Sequence, residues 1–269
     1  MVEIHQECFS LKKICDSGQC FRMREIGENR YGVIAFGKYL EMEQREKSVI
    51  LFCTQEEYEA LWRDYFDLDV DYGIILRGVD REDVYLCEAM QYGSGIRILN
   101  QDLWEMMISF IISQQNNIKR IRKCIQTLCE RFGEKKMDEY GGEYFDFPTP
   151  DSLAKATEEE LKDCNLGYRS RYIKKTAQQV VQRGGLSDLA AMSYTQAQEE
   201  LMKFFGIGEK VSNCICLFAL RKKEAFPVDT HIRQVLQKHY PQGFPFEQYK
   251  ENAGVIQQYI FYYDLMDQG

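Results

Sequence analysis

The sequence predicts an α+β fold: an antiparallel sheet domain over residues 1–97, then a mainly helical domain over residues 98–269. Three observations predict it. Short apolar runs separated by turn residues recur through the first third of the chain. From about Asn100 the apolar residues switch to helical spacing. A glycine turn, Gly206-Ile-Gly208, then joins two of the helical segments.

The N-terminal elements follow in order. Cys8 to Arg24 reads as extended segments around a turn at Asp16-Ser17-Gly18-Gln19. Tyr31–Phe36, Tyr39–Glu43 and Val49–Cys53 are strand candidates, divided by the turns Gly27-Glu28-Asn29 and Phe36-Gly37-Lys38. Glu56–Tyr65 reads as a helix. Further on, Leu103–Ile112 is apolar nearly all round and marks a helix buried in a core. Ile118–Phe132 is amphipathic and stops at Gly133, a natural C-cap. Gly141–Pro150 reads as a loop. Thr157–Cys164, Ser170–Arg183 and Ser193–Phe205 are helical, the last opening on a capping box of Ser193 and Gln196. Val211–Leu220, Thr230–His239 and Phe246–Met266 complete the helical domain, whose two lobes flank a hairpin at about 193–220.

Composition narrows the function. The longest apolar run, Met106–Ile112, is far too short to span a bilayer. Glu3, His5, Lys12 and Asp16 interrupt the opening residues, so no secretory signal is read and a soluble intracellular protein is expected. The 10 cysteines form no C-x-x-C pair, and with only 3 histidines a metal site built from side chains is not expected. A net charge of −8 argues against indiscriminate binding to nucleic acid. It leaves room for local basic faces, and two exist: Lys119, Arg120, Arg122 and Lys123, then Arg169, Arg171, Lys174 and Lys175. Either, taken alone, reads first as a solvated helix face.

The most informative stretch is Phe204-Phe205-Gly206-Ile207-Gly208-Glu209-Lys210-Val211. Gly206 and Gly208 permit positive φ and a close approach of the backbone to a partner. The helix that starts after them presents free N–H groups, which attract a phosphate. A helix-hairpin-helix of this kind grips a DNA backbone without reading bases, while a lone Gly-x-Gly between helices is more commonly a structural turn. Lys210 lies in the first turn, where the positive helix end disfavours an ammonium and favours the neutral amine that a nucleophile needs. By position alone it is also an ordinary surface lysine beside a cap. In Phe226-Pro227-Val228-Asp229-Thr230-His231, Asp229 is an N-cap that can also face a cationic centre.

With Gly206-Ile-Gly-Glu-Lys210 and Pro227-Val-Asp229 in place, the chain resembles the helix-hairpin-helix glycosylases with a Gly/Pro-rich loop and an aspartate, whose bifunctional members carry the lysine. It is most similar to the eukaryotic-type 8-oxoguanine DNA glycosylases with lyase activity. Asp16-Ser-Gly-Gln-Cys-Phe-Arg22, Tyr65-Phe-Asp-Leu-Asp69, Asn116-Asn-Ile118, Leu166-Gly-Tyr-Arg169, Val211–Leu217 and Asp264-Leu265 extend the resemblance over nearly the whole chain.

The resemblance implies a TBP-like sheet domain, no cofactor, and double-stranded DNA containing 8-oxoguanine as the partner of a monomer. It implies that Lys210 attacks C1′ and forms a Schiff base while Asp229 stabilises the cationic sugar. The damaged-base pocket would use Gly18, Cys214, Gln257 and Phe261, with the Gly18 carbonyl accepting from N7–H of 8-oxoguanine. Opposite-base and backbone contacts would come from Gln115, Asn116, Arg120, Tyr168, Arg169, Gly206, Gly208 and His231. Gln115 departs from the family's asparagine, which leaves the stringency for an opposite cytosine open. Two rivals stand beside this reading: a monofunctional glycosylase using Asp229 and water, and a non-catalytic DNA-binding protein that keeps only the hairpin.

Overall fold

The computed structural model describes residues 1–138 and 141–267. Its first layer is a five-stranded antiparallel sheet of β1 (Val2–Ile4), β2 (Met23–Gly27), β3 (Arg30–Ala35), β4 (Lys38–Gln44) and β5 (Val49–Leu51), in the order β1-β5-β4-β3-β2. The alternation that predicts β3 and β4 is the alternation that buries them: Tyr31, Val33, Ala35, Leu40 and Met42 point inward. The β3–β4 hairpin turns on Phe36 and Gly37, both at positive φ. This is the mirror-image turn geometry that matches strand twist. β1 and β2, short or largely exposed, carry too little apolar periodicity to be read from sequence.

The segment Cys8–Arg24 differs from expectation. Leu11–Asp16 forms a helix, α1, capped by Ser10, whose hydroxyl accepts from the Lys13 N–H. Leu11, Ile14 and Cys15 are its buried face. That is helical spacing, packed under the sheet. The following helical stretch runs from Gln55 to Tyr65 and contains a π turn at Tyr58–Trp62. It drives Trp62, Tyr65 and Phe66 into the sheet core.

The helical layer comprises α2 (Val84–Gly93), α3 (Leu103–Ser113), α4 (Ile118–Phe132), α5 (Arg169–Arg183), α6 (Tyr194–Leu201), α7 (Glu209–Ala219), α8 (Thr230–His239) and α9 (Ala253–Asp267), with shorter helical pieces between them. The capping box of Ser193 and Gln196 is formed at the start of α6. α3 is buried from Glu105 to Ile112. α2 lies ahead of residue 97 yet packs into this second core through Leu86, Ala89 and Met90. α9 is shorter than the predicted span, because Phe246–Tyr249 and a 3₁₀ turn at Lys250–Asn252 precede it. No helix of the described residues is long and apolar enough to cross a membrane.

The stretch expected to be a loop is partly sheet: Glu143–Phe145 (β7) pairs with Lys135–Met137 (β6) in an antiparallel ribbon. This changes the reason for Gly133. It ends α4, but at φ −86° and ψ 161° it is not a left-handed cap. A Cβ there would lie 2.0 Å from the Asp146 carbonyl oxygen and 2.6 Å from that of Cys129. Both neighbours are backbone and cannot give way cheaply. Gly133→Ala is therefore expected to cost about 2–3 kcal/mol through overpacking, seen as a drop in Tm of about 5–10 °C.

Candidate active site

Distant segments of the chain converge on one cavity. Gly18 comes from the loop after α1, Lys210 and Cys214 from α7, Asp229 from the cap of α8, and Gln257 and Phe261 from α9. Phe110 of α3 and Phe218 of α7 close its apolar side, their rings stacked 5.6 Å apart. Its volume is about 60 Å³. That is small beside the roughly 300–1,000 Å³ of an ordinary ligand pocket.

Each wall has a local cause. Gly18 sits at φ +77°, a conformation open to glycine. A Cβ on it would stand 3.4 Å from Phe261 and 3.4 Å from Ile118. Gln257 and Phe261 share a face of α9, one turn apart. Gln257 is only 4% exposed, and its side-chain oxygen has no hydrogen-bond partner among the described residues. A buried acceptor left unpaired costs about 1–3 kcal/mol, and a ligand donor in the cavity would satisfy it.

Asp229 caps α8 by accepting the Ile232 N–H at 2.9 Å, which fixes the carboxylate at the cavity. Lys210 is the second residue of α7, half-buried, with Nζ 5.5 Å from the centre of the Phe110 ring. Burial pushes the Cys214 thiol up, while the neighbouring Lys210 opposes that shift by charge and by a hydrogen bond.

The hairpin that presents Lys210 is braced from behind. Thr176 donates to the Phe205 carbonyl at 2.7 Å, Gln179 accepts the Phe205 N–H at 2.7 Å, and Gln114 donates to the Gly206 carbonyl at 3.0 Å. Gly206, at φ +86°, lies under the Tyr172 ring, 2.8 Å from where a Cβ would stand. No side chain caps α7, and a Cβ at Gly208 would meet only open space. The helix N-terminus is thus free to receive an anion. Beside it run Tyr168, Tyr172 and Phe205 in edge contact, with Lys175 Nζ 4.3 Å from the centre of the Phe205 ring. Exposed aromatic rings edged by cations suit a nucleic-acid surface.

Comparison with known proteins decides the family. Residues 1–107 match the N-terminal domain of 8-oxoguanine DNA glycosylase, and residues 108–245 match the helix-hairpin-helix superfamily of base excision DNA repair proteins. The chain belongs to the 8-oxoguanine DNA glycosylase/lyase family. The 8-oxoguanine glycosylase/lyase of Clostridium acetobutylicum, solved with double-stranded DNA containing cytosine opposite 8-oxoG, superposes with a TM-score of 0.92 at 36% identity, covering 98% of this chain and 94% of that one. The N-glycosylase/DNA lyase of Saccharomyces cerevisiae is 29% identical over 267 residues, 88% of this chain and 70% of its own. That of Arabidopsis thaliana is 30% identical over 230 residues, 81% of this chain and 63% of its own.

The residues that the glycosylase/lyase resemblance assigns to the opposite strand fall in two groups. Arg120 and Tyr168 are exposed, and His231 is half-exposed, its Nδ1 3.6 Å from Asp264 and its ring edge-on to Phe261. Arg169 differs from expectation. It is 4% exposed, and its guanidinium donates to the carbonyls of Gln114, Gln115 and Leu166. In this structure it braces the Gln114–Asn116 loop rather than facing an open groove. Asn116 is also engaged, donating to the Ile112 carbonyl at 3.1 Å.

The loop needs bracing because Gln115 adopts φ +48°. Asparagine tolerates the left-handed region far better than glutamine does. Gln115→Asn is expected to raise stability by about 0.5–1 kcal/mol, read as a higher midpoint in urea with an unchanged slope.

Sequence reasoning missed Phe110, Phe218 and the amides of Gln19 and Gln258. Gln19 is buried, donates to the Arg97 carbonyl at 2.9 Å and accepts from the Leu99 N–H at 2.8 Å. For Gln258 one signal existed: two consecutive amides, Gln257-Gln258, interrupt the apolar run Val255–Phe261.

Proposed function

We propose that Lys210 and Asp229 are the residues through which this chain acts as an 8-oxoguanine DNA glycosylase and lyase in base excision repair. The observation that carries the reading is one cavity holding an amine, a carboxylate and an unsatisfied amide oxygen beside an uncapped helix terminus. Chemistry at C1′ needs the nucleotide turned out of the duplex. The hairpin N–H groups and the aromatic strip are suited to hold the backbone while that happens.

In this reading the amine of Lys210 attacks C1′. The C1′–N9 bond breaks, its electron pair leaves with the base, and the base takes up a proton. Asp229 opposes the positive charge that develops on the sugar. Opening of the C1′–O4′ bond gives the Schiff base. The imine acidifies the C2′ hydrogen, its loss expels the 3′ phosphate, and the strand is cut. Gln257 Oε1 would accept from the donors on the Watson–Crick edge of 8-oxoguanine, and the Gly18 carbonyl from N7–H, a donor that guanine lacks. The work places the protein wherever the cell keeps its DNA, nucleoid or nucleus.

Borohydride reduction of a mixture with a duplex carrying one 8-oxoguanine opposite cytosine is expected to leave a covalent protein–DNA species, and none with undamaged duplex. Release of free base without that species would favour Asp229 acting with water. Absence of both would overturn the proposal.

A further inference from the structure

We propose that Gln258 is a positioning residue for the loop that reads the lesion. It is 3% exposed, and its amide donates to the Ser17 carbonyl at 2.7 Å, joining α9 to the N-terminal loop across the whole chain. Successive residues on a helix point about 100° apart, so Gln257 faces the cavity while its neighbour holds the wall beside it.

The wall needs holding. Gly18 has the freest backbone of any residue type, and nothing in its own chemistry keeps φ at +77°. The peptide units around it are pinned from outside. The Ser17 carbonyl takes the Gln258 amide, the Ser17 hydroxyl accepts from Gln19 at 3.0 Å, and the Gln19 carbonyl takes the Gln101 amide at 2.9 Å. Between these two occupied carbonyls, no hydrogen bond among the described residues ends on that of Gly18. The arrangement leaves one acceptor unspent and fixes the backbone on both sides of it.

This inference rests on the reading that Gly18 meets N7–H of 8-oxoguanine. A hydrogen bond weakens steeply with misdirection, so loosening the Ser17 peptide should blunt base recognition without touching the Lys210 chemistry.

The test compares Gln258→Met and Gln258→Glu, both of similar shape and lacking the amide donor, with Gln257→Met. Each is assayed in single turnover on an 8-oxoguanine duplex and on a duplex with a preformed abasic site. The abasic site has no base to recognise, so its cleavage also reports that the variant is folded. Both Gln258 variants are expected to excise 8-oxoguanine about 10-fold more slowly, the worth of one buried hydrogen bond, with abasic-site cleavage unchanged. An equal fall in both reactions would mean a general structural role and overturn the inference. Unchanged excision by the Gln258 variants, with Gln257→Met slowed, would overturn it while leaving the pocket reading intact. Unchanged excision by all three would overturn the pocket reading itself.

Discussion

Lys210→Gln is expected to bind an 8-oxoguanine duplex nearly as well as wild type and to show neither covalent trapping nor strand cleavage. Loss of an activated nucleophile lowers turnover by about 10⁴-fold or more. Binding should survive because the hairpin is held by Thr176, Gln179 and Gln114, whose side chains bond the backbone of Phe205 and Gly206. Asp229→Asn makes a different prediction from the same site. Asparagine caps a helix as well as aspartate, so α8 and its bond to Ile232 should persist and Tm should hardly move. The rate should still fall by about 10²–10³-fold, as when a preorganised electrostatic partner is removed. The pair of variants therefore separates the covalent role from the electrostatic one. A Lys210→Gln protein that still releases base at an appreciable rate would assign that step to Asp229 and water.

How much of this was legible in the sequence depended on distance along the chain. The hairpin glycines, the lysine after them and the Asp229 cap are local devices, and each lies within a few residues of the helix end it serves. Helices such as Ile118–Phe132 and Thr230–His239 carry their spacing and caps within themselves and could be bounded from it. α1 was missed because six residues give a period little room to show. The bonds that set the pocket join Ser17 to Gln258 and Gln19 to Leu99, and no local rule pairs residues so far apart. Arg169 shows the same limit from the other side. The family resemblance implied an opposite-base contact for it, and the fold shows its donors bonded to loop carbonyls. Gly133 was identified as a helix end for the wrong physical reason, since the ribbon that crowds it is formed by residues beyond it.

Arg22→Met is expected to be strongly destabilising, and its effect should depend on pH. Arg22 pairs with Glu105 at 3.2 Å, with both side chains less than a tenth exposed, and it also donates to the Phe145 carbonyl. Burial pushes the Glu105 carboxyl from the usual 4.5 up to about 7, while the Arg22 guanidinium pulls it back. A carboxyl raised on folding contributes stability that is full below its unfolded value and is lost as pH rises through the folded one. Without Arg22 the folded value climbs further, so the gap between variant and wild type should open as pH rises past 7. One pH unit past the wild-type value adds at most about 1.4 kcal/mol, so at pH 8 the loss should reach about 2–3 kcal/mol. At pH 5 Glu105 is protonated in both proteins, and the loss should shrink to about 1–2 kcal/mol, the worth of the remaining hydrogen bond to Phe145. Adding Glu105→Leu to Arg22→Met should restore most of the stability at pH 8, because two apolar side chains need no partner. Arg22 follows the Gly18 loop, and Glu105 lies on α3 ahead of Phe110, so the ion pair ties that loop to the helix on the cavity's apolar side. Urea titrations of the three proteins at pH 5 and pH 8 provide the check. A loss for Arg22→Met that is equal at both values would show that the arginine acts by packing rather than by charge.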